Sequence, residues 1–273
     1  METYKMDRTI RIGALISGTG TNLQAIIDSC ESGKINGKIV FVGSDNPNAR
    51  GLEKGIRLGI PTFVVDYGSI IQNFKNTPEK VVPPDDFDLN DLLSKQTLFT
   101  ADADTETVKA FIITRAVAEA KLIDAMKHYP FDLLVLAGYM RNLSPYFIDR
   151  VNRDSDIPRI MNIHPALLPA FPGVDGYGDT FRYGCKIGGC TAHFVDYGED
   201  SGPIIGQKAY EILEDDTLDS IRAKGLKPEW VLYPECVKLF AEGRLKTVCR
   251  SYQLKDGRKM QRTIVKILPS PEP

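Results

Sequence analysis

The chain has 273 residues, of which 42% are hydrophobic and 26% charged, with a formal net charge of -2 and a pI near 6.0. Such a composition suits one large or two small globular domains. It argues against nucleic acid or an anionic membrane surface as the main partner, since both select a basic face. A small anionic ligand, which needs only local donors, stays open. No apolar run is long enough to span a bilayer, and acidic Glu2 with no long apolar run before Arg11 does not read as a signal peptide. The five cysteines, Cys30, Cys185, Cys190, Cys236 and Cys249, are odd in number and scattered. The spacing of Cys185 and Cys190 is loose for zinc, so reduced thiols in a cytoplasmic protein without a metal are the expectation.

In chain order, residues 10–16 (Ile-Arg-Ile-Gly-Ala-Leu-Ile) read as a buried first strand and residues 23–28 as the opening of a helix. Residues 38–43 read as a second strand, about 49–58 as a helix, and 62–66 as a third strand. Strand and helix in alternation imply parallel strands joined by crossover helices. The alternation breaks over residues 67 to about 107, which hold Pro78, Pro83, Pro84 and the acidic run Asp85-Asp86-Phe87-Asp88. A structureless loop of that length is unusual inside a domain, so the stretch reads as an insertion with a short helix between 89 and 99. A long amphipathic helix follows over about 105–128, then a continuously apolar strand at 131–138, a helix near 145–151 and a strand at 159–163. Residues 172–189 are rich in glycine and read as a mobile loop with some helix. Strands at 191–195 and 204–212 precede two helices, 217–225 and 228–242, separated at Pro228. Residues 244–265 carry weak strand signals, and 270–273 read as disordered.

Three stretches carry chemistry. Ser17-Gly18-Thr19-Gly20-Thr21-Asn22 lies between strand and helix, where glycines let backbone N–H groups approach an anion and the helix N-terminus adds positive field. It lacks the third glycine of the dinucleotide fingerprint and the lysine of a P-loop, so it reads either as a phosphate cradle or as a plain tight turn. Arg141 ends a strand at the carboxyl edge of the sheet, where α/β proteins bind ligands; Arg115 lies mid-helix, a position that by itself reads as surface. Met161-Asn162-Ile163-His164-Pro165-Ala166-Leu167-Leu168-Pro169 fixes its backbone with two prolines. Asn162 and His164 are two apart and project the same way. An imidazole moves protons near neutral pH, and an amide N–H stabilises a developing oxyanion. Asp200, in the turn Tyr197-Gly198-Glu199-Asp200-Ser201-Gly202-Pro203, precedes a strand and places a carboxylate within reach of the same edge, where it would favour an imidazolium. These groups suit acyl transfer, although a lone histidine is more often a satisfied core residue.

Together, Asn162-x-His164-Pro165-x-Leu167-Leu168-Pro169 and Asp200-Ser201-Gly202-Pro203 resemble the folate-dependent formyltransferases, and most closely the phosphoribosylglycinamide formyltransferase family. Residues 16–27, Leu136-Ala137-Gly138-Tyr139-Met140-Arg141, Thr191-Ala192-His193-Phe194-Val195 and Glu229-Trp230-Val231-Leu232-Tyr233-Pro234 are similar to the same family, in its order. The resemblance implies an α/β, Rossmann-like fold with a mostly parallel seven-stranded sheet and helices on both faces. It implies a catalytic domain over residues 1–250, with the insertion at about 67–107, and a C-terminal extension over 251–273. The implied reaction moves a formyl group from the co-substrate 10-formyltetrahydrofolate to the amine of glycinamide ribonucleotide, in purine biosynthesis. By position, Asn162, His164 and Asp200 match the catalytic trio, with Asp200 keeping His164 charged. Thr19, Gly20, Thr21 and Asn22 match the phosphate cradle, and Glu229 a substrate-binding glutamate. Arg115, Met140, Arg141, Asn142 and Leu143 match the folate site. Small-molecule partners, no nucleic acid, no membrane, and a monomer or homodimer follow.

The chain departs from the family at Val174-Asp175-Gly176-Tyr177-Gly178-Asp179, where a histidine and a short helix are usual and helix propensity here is poor. The acidic run at 85–88 is expected to point away from a phosphate site. Alternatives of other classes are a formyltransferase or hydrolase acting on another acceptor, and a non-catalytic folate- or nucleotide-binding protein.

Overall fold

The apolar run Ile10–Ile16 forms β1, and the sheet grows outward from it on both sides. In the computed structural model, which describes residues 8–270, β1 pairs in parallel with β2 (Gly37–Ser44) on one side and β4 (Leu133–Leu136) on the other. Parallel β3 (Thr62–Val64) extends the β2 side. On the other side β5 (Ile160–His164) joins β4 in parallel, and β6 (Ile187–Phe194) and β7 (Ile204–Glu211) follow antiparallel. The order β3-β2-β1-β4-β5-β6-β7 gives the mostly parallel seven-stranded sheet expected. All four residues of β4 are buried, as a central strand covered on both faces requires.

Alternation along β1 divides its side chains between two cores. Ile10, Ile12, Ala14 and Ile16 pack with Leu23, Ile26 and Ile27 of α1 (Thr21–Glu31) and Leu232, Tyr233 and Val237 of α8 (Leu218–Ala241). Leu15 faces the opposite layer, with Ala118 and Leu122 of α5 (Thr105–Met126) and Phe147 and Ile148 of α6 (Pro145–Asn152). The short α2 (Leu52–Arg57) lies on the first face, and α3 (Tyr67–Asn76) on the second.

Residues 67–107 are largely helical. Asp66 caps α3, Asp88 caps α4 (Leu89–Lys95) by accepting from the N–H groups of Asn90 and Asp91, and Asp104 caps α5. Each caps donors that the first helical turn would otherwise leave free. The acidic run thus has local partners: Asp88 is a cap, and Asp86 accepts from Tyr146 Oη at 2.9 Å and from Arg150. Leu92, Val108, Ile112, Ala116 and Tyr146 form a small core that seals the segment onto α5 and α6.

Two boundaries differ from the sequence reading. The two helices expected around Pro228 are one, α8, with Pro228 and Pro234 inside it. The capping box of Thr217 and Ser220 starts the helix, and Ile221, Gly225, Glu229, Leu232 and Tyr233 are buried on either side of Pro228. That continuous buried face outweighs the roughly 3 kcal/mol that an interior proline costs. Strand β6 begins at Ile187, because Gly188 and Gly189 pair with Tyr210 and Ala209; a Cβ on Gly188 would meet the Tyr210 ring at 2.5 Å. The helical part of the stretch read as a loop with some helix is Gly176–Arg182, a short α7 that forms despite poor propensity; Asp175 caps it by accepting from Gly178 N at 3.2 Å.

After α8, β8 (Leu245–Gln253) and β9 (Lys259–Ile267) make a separate antiparallel hairpin that spans position 250. The N-terminal reading at Glu2 and most of the disorder expected over 270–273 fall outside the described residues. Among the described residues no helix is long and apolar enough to cross a membrane.

The turn into β7 leaves no room for a side chain at Gly202, where a Cβ would lie 1.8 Å from the Phe194 carbonyl oxygen. Backbone cannot yield as a flexible side chain does, so Gly202→Ala should cost about 2–3 kcal/mol. Urea unfolding of the variant against the wild type measures it.

Candidate active site

The strand order reverses between parallel β1 and β4, since β2 and β3 lie to one side and β5 to β7 to the other. Such a switch point opens a crevice at the carboxyl ends of the strands. Here Ser17, just past β1, ties the two edges: its N–H donates to the Gly138 carbonyl at 3.0 Å, and its Oγ accepts from Met140 N at 2.8 Å. Buried Asp45, after β2, accepts from Ser17 Oγ and pairs with Arg141 Nε at 2.5 Å. A cavity of about 220 Å³ lies in the crevice. Asn22, Met140, Arg141, Asn142, Leu143, Asn162, His164, Asp200 and Glu229 line it; Thr19, Gly20, Thr21 and Arg115 do not. Thr19 and Gly20 lead into the free N-terminus of α1, where Gly20 takes a left-handed φ of 67° and no side chain caps the helix.

Asn162 and His164 reach the cavity from the end of β5, and Asp200 from the turn before β7. Asp200 Oδ2 lies 3.1 Å from His164 Nδ1 and accepts from Gly173 N at 2.8 Å; Asp200 Oδ1 is 3.4 Å from Asn162 Nδ2. The other ring nitrogen of His164, Nε2, lies 2.7 Å from the Phe171 carbonyl. The three side chains that the family resemblance implies as a trio therefore converge on one cavity. Two residues that the sequence reading passed over complete it. His193 places Nε2 3.3 Å from Asn162 Nδ2 and 3.5 Å from Asp200 Oδ1; it faces Asn162 across the antiparallel pairing of β5 and β6, which only the fold reveals. Phe171 supplies the carbonyl from a left-handed turn, φ 55°.

Burial alone would raise the Asp200 pKa, but the His193 hydrogen bond, the His164 charge and the Gly173 N–H hold it below the ordinary carboxylate value. Burial lowers His164 below the usual histidine value, against the opposing pull of Asp200 and of the Phe171 carbonyl. The expected pull of Asp200 toward a charged ring thus meets an opposing effect: Asp200 and the Phe171 carbonyl favour the imidazolium, and burial, the larger influence, disfavours it.

Across the cavity Glu229, on α8, accepts from Asn22 Nδ2 at 2.7 Å and from the Tyr177 hydroxyl. Burial pushes its pKa up, and those two hydrogen bonds pull it part of the way back. Tyr177, in the stretch that departs from the family, was not singled out from sequence.

Arg115 is buried on α5 behind the cavity, its guanidinium 5.3 Å from the Tyr67 ring centre and 4.7 Å from that of Phe111. The structure does not bring it to the wall, because those two rings cover it. One turn further, fully buried Glu119 accepts from Ser144 N at 2.8 Å and from Ser144 Oγ, and burial raises its pKa to about 8.

The formyl transferase family model matches residues 10–237, and the chain belongs to that family. It is 33% identical over 236 residues to the phosphoribosylglycinamide formyltransferase of Haemophilus influenzae, covering 86% of this chain and 89% of that protein. It is 32% identical to the Escherichia coli enzyme of the same name, covering 87% and 90%. Among solved structures, glycinamide ribonucleotide transformylase 1 from Symbiobacterium toebii superposes with a TM-score of 0.70 at 34% identity, covering 98% of this chain and 99% of that one.

Glu119 generates a stability prediction. Its carboxyl binds a proton more tightly folded than unfolded, so its contribution is complete below about pH 4.5 and is lost as pH rises through about 8. Glu119→Gln has no charge to bury, and urea unfolding should show the variant losing less stability than the wild type between about pH 4.5 and pH 8, by on the order of a few kcal/mol in total. Parallel curves for the two proteins would contradict the burial of an ionisable group there.

Proposed function

We propose that the chain transfers the formyl group of 10-formyltetrahydrofolate to the amine of glycinamide ribonucleotide, in purine biosynthesis in the cytoplasm; the names of its relatives, phosphoribosylglycinamide formyltransferases, support the formyl transfer and its acceptor. The convergence of Asn162, His164 and Asp200 on one cavity at the sheet's switch point carries the reading. The free N-terminus of α1, with Asn22 in its first turn, supports a phosphate site beside that cavity. Met140, Arg141, Asn142 and Leu143 form the wall assigned to the folate. Arg115, under its aromatic cover, adds positive potential behind Arg141 rather than a contact.

The chemistry follows from the charges. The amine attacks the formyl carbon, a C–N bond forms, and the carbonyl oxygen becomes an oxyanion. The Asn162 amide N–H stabilises that charge. A neutral His164 takes the proton that the attacking nitrogen sheds, and the adjacent anions, Asp200 and the oxyanion, then favour the imidazolium. Collapse breaks the bond from the formyl carbon to folate N10, and the proton ends on that nitrogen as tetrahydrofolate leaves.

The deciding experiment supplies 10-formyltetrahydrofolate with glycinamide ribonucleotide, with other amines and with none, and follows tetrahydrofolate and formate. Amine-dependent release without formate is expected; formate release without an amine would make the chain a hydrolase. His164→Ala or Asp200→Asn should lower kcat by about 10²–10⁴-fold with the fold retained by circular dichroism, and wild-type rates in either variant would refute the assignment. Asn22→Asp sets a second carboxylate against Glu229 and the phosphate. It should raise KM for the ribonucleotide well above that for the folate; an equal rise in both would remove the phosphate cradle.

A further inference from the structure

The Glu229 carboxylate is gripped at both oxygens by elements far away in sequence. Asn22 Nδ2, in the first turn of α1, donates to Oε2 at 2.7 Å, and the Tyr177 hydroxyl, on α7, donates to Oε1. All three side chains line the cavity, and Glu229 and Asn22 are 4% and 6% exposed. Asn22 Oδ1 is buried and has no hydrogen-bond partner among the described residues. A buried acceptor left open in a cavity wall costs stability unless a ligand satisfies it.

The position of the Tyr177 ring is itself built. Gly225 lies one turn before Glu229 on the buried face of α8, and a Cβ there would sit 2.2 Å from Tyr177 Cε1. The ring therefore occupies a notch that only glycine leaves, with its hydroxyl delivered to the carboxylate. The other titratable groups that feel the Glu229 charge are Tyr210 of β7 and Cys190 of β6, both pushed upward by burial first and by that charge after it. Neither is a cation, so the two hydrogen bonds are what favour the anion against burial.

We propose that Tyr177 is a positioning residue for the ribonucleotide: its hydroxyl fixes Glu229 so that the carboxylate and Asn22 Oδ1 together form an acceptor floor for hydrogen-bond donors of that substrate. The inference rests on the reaction proposed above and extends it to the stretch where this chain departs from its family. Tyr177 touches the carboxylate rather than the reacting atoms, so its effect falls on binding of one substrate and not on the chemical step. A phenolic donor also favours the charged form of Glu229. Without it the carboxyl holds its proton to higher pH, and a protonated oxygen donates where the substrate needs an acceptor.

Tyr177→Phe keeps the ring in the Gly225 notch and removes only the hydroxyl. The KM for glycinamide ribonucleotide should rise about tenfold, while kcat and the KM for 10-formyltetrahydrofolate stay within about twofold. The rise should be larger below neutral pH than above it. His164 titrates alike in both proteins, so the ratio of their profiles isolates Glu229. Gly225→Ala, which pushes the ring out of its notch with the hydroxyl intact, should give the same division between the two substrates. Unchanged KM values, or equal losses in kcat and both KM values, would overturn the proposal. The Glu229 carboxyl is also followed without turnover, by infrared titration of the unliganded protein with Glu229→Gln marking its band. Its midpoint should move up in Tyr177→Phe, and coincident midpoints would overturn the clamp. A wild-type enzyme that never formylates the ribonucleotide would sink the assigned reaction separately, because the titration decides the clamp without it.

Discussion

His164 is held between two acceptors, and both come from residues in left-handed backbone. Asp200, φ 49°, turns its carboxylate to Nδ1, and Phe171, φ 55°, turns its carbonyl to Nε2. A residue other than glycine in that region stores strain that the surrounding structure must offset. Here Gly173 N and His193 hold the Asp200 carboxylate, and Gly202 lets the chain pass the Phe194 carbonyl at a distance no side chain permits. Only the charged imidazole can donate from both nitrogens. Two acceptors thus favour a proton on a ring whose burial disfavours it.

Two carboxylates in one cavity are driven in opposite directions. Asp200 has a histidine on each side and a backbone donor, and lies low; Glu229 has only neutral donors and lies high. The difference arises from where each strand and helix ends. Asp200 belongs to a turn at the sheet edge, beside the end of β5, where two imidazoles converge. Glu229 sits in the middle of α8, pressed against β6 and β7, where apolar packing leaves room for little but an amide and a phenol. One fold thus sets the proton affinities of two carboxyls in the same cavity apart by environment alone.

The parts of this architecture legible in the sequence are those set by local periodicity and by residues close together in the chain. β1, the glycine turn after it and the start of α1 follow from the alternation over residues 10–27, and Asn162 and His164 share an edge because two residues is the strand period. The misses have physical causes. The Gly188-Gly189 pair hides the start of β6 because glycine has no strand propensity, yet closeness to Tyr210 demands it. Pro228 suggests a break in α8 because a local rule is outweighed by a buried face extending on either side. His193 and Tyr177 have no sequence-local signal at all: the first acquires its role by pairing opposite Asn162, the second by a helix whose cap, Asp175, stands in a glycine-rich stretch.

The segment 67–107 shows how a stretch remote from the chemistry bears on it. Its end reaches the loop that carries Asp200: Thr97 N donates to the Tyr197 carbonyl at 3.2 Å, and Lys95 pairs at 2.9 Å with Asp149, which also accepts from the Tyr197 hydroxyl at 2.5 Å. Phe99 stacks edge-on against Phe111 at 5.1 Å, and Phe111 in turn covers Arg115. One packed unit therefore braces the Asp200 turn on one side and buries a cation on the other. Surface ion pairs of the Lys95 type contribute little individually; the apolar seal of Leu92, Val108 and Ile112 is what keeps the brace in place, and the polar contacts set its register. The left-handed turn at Asp200 has this outer wall behind it, and a strained backbone kept in one conformation needs such a wall more than it needs any single bond.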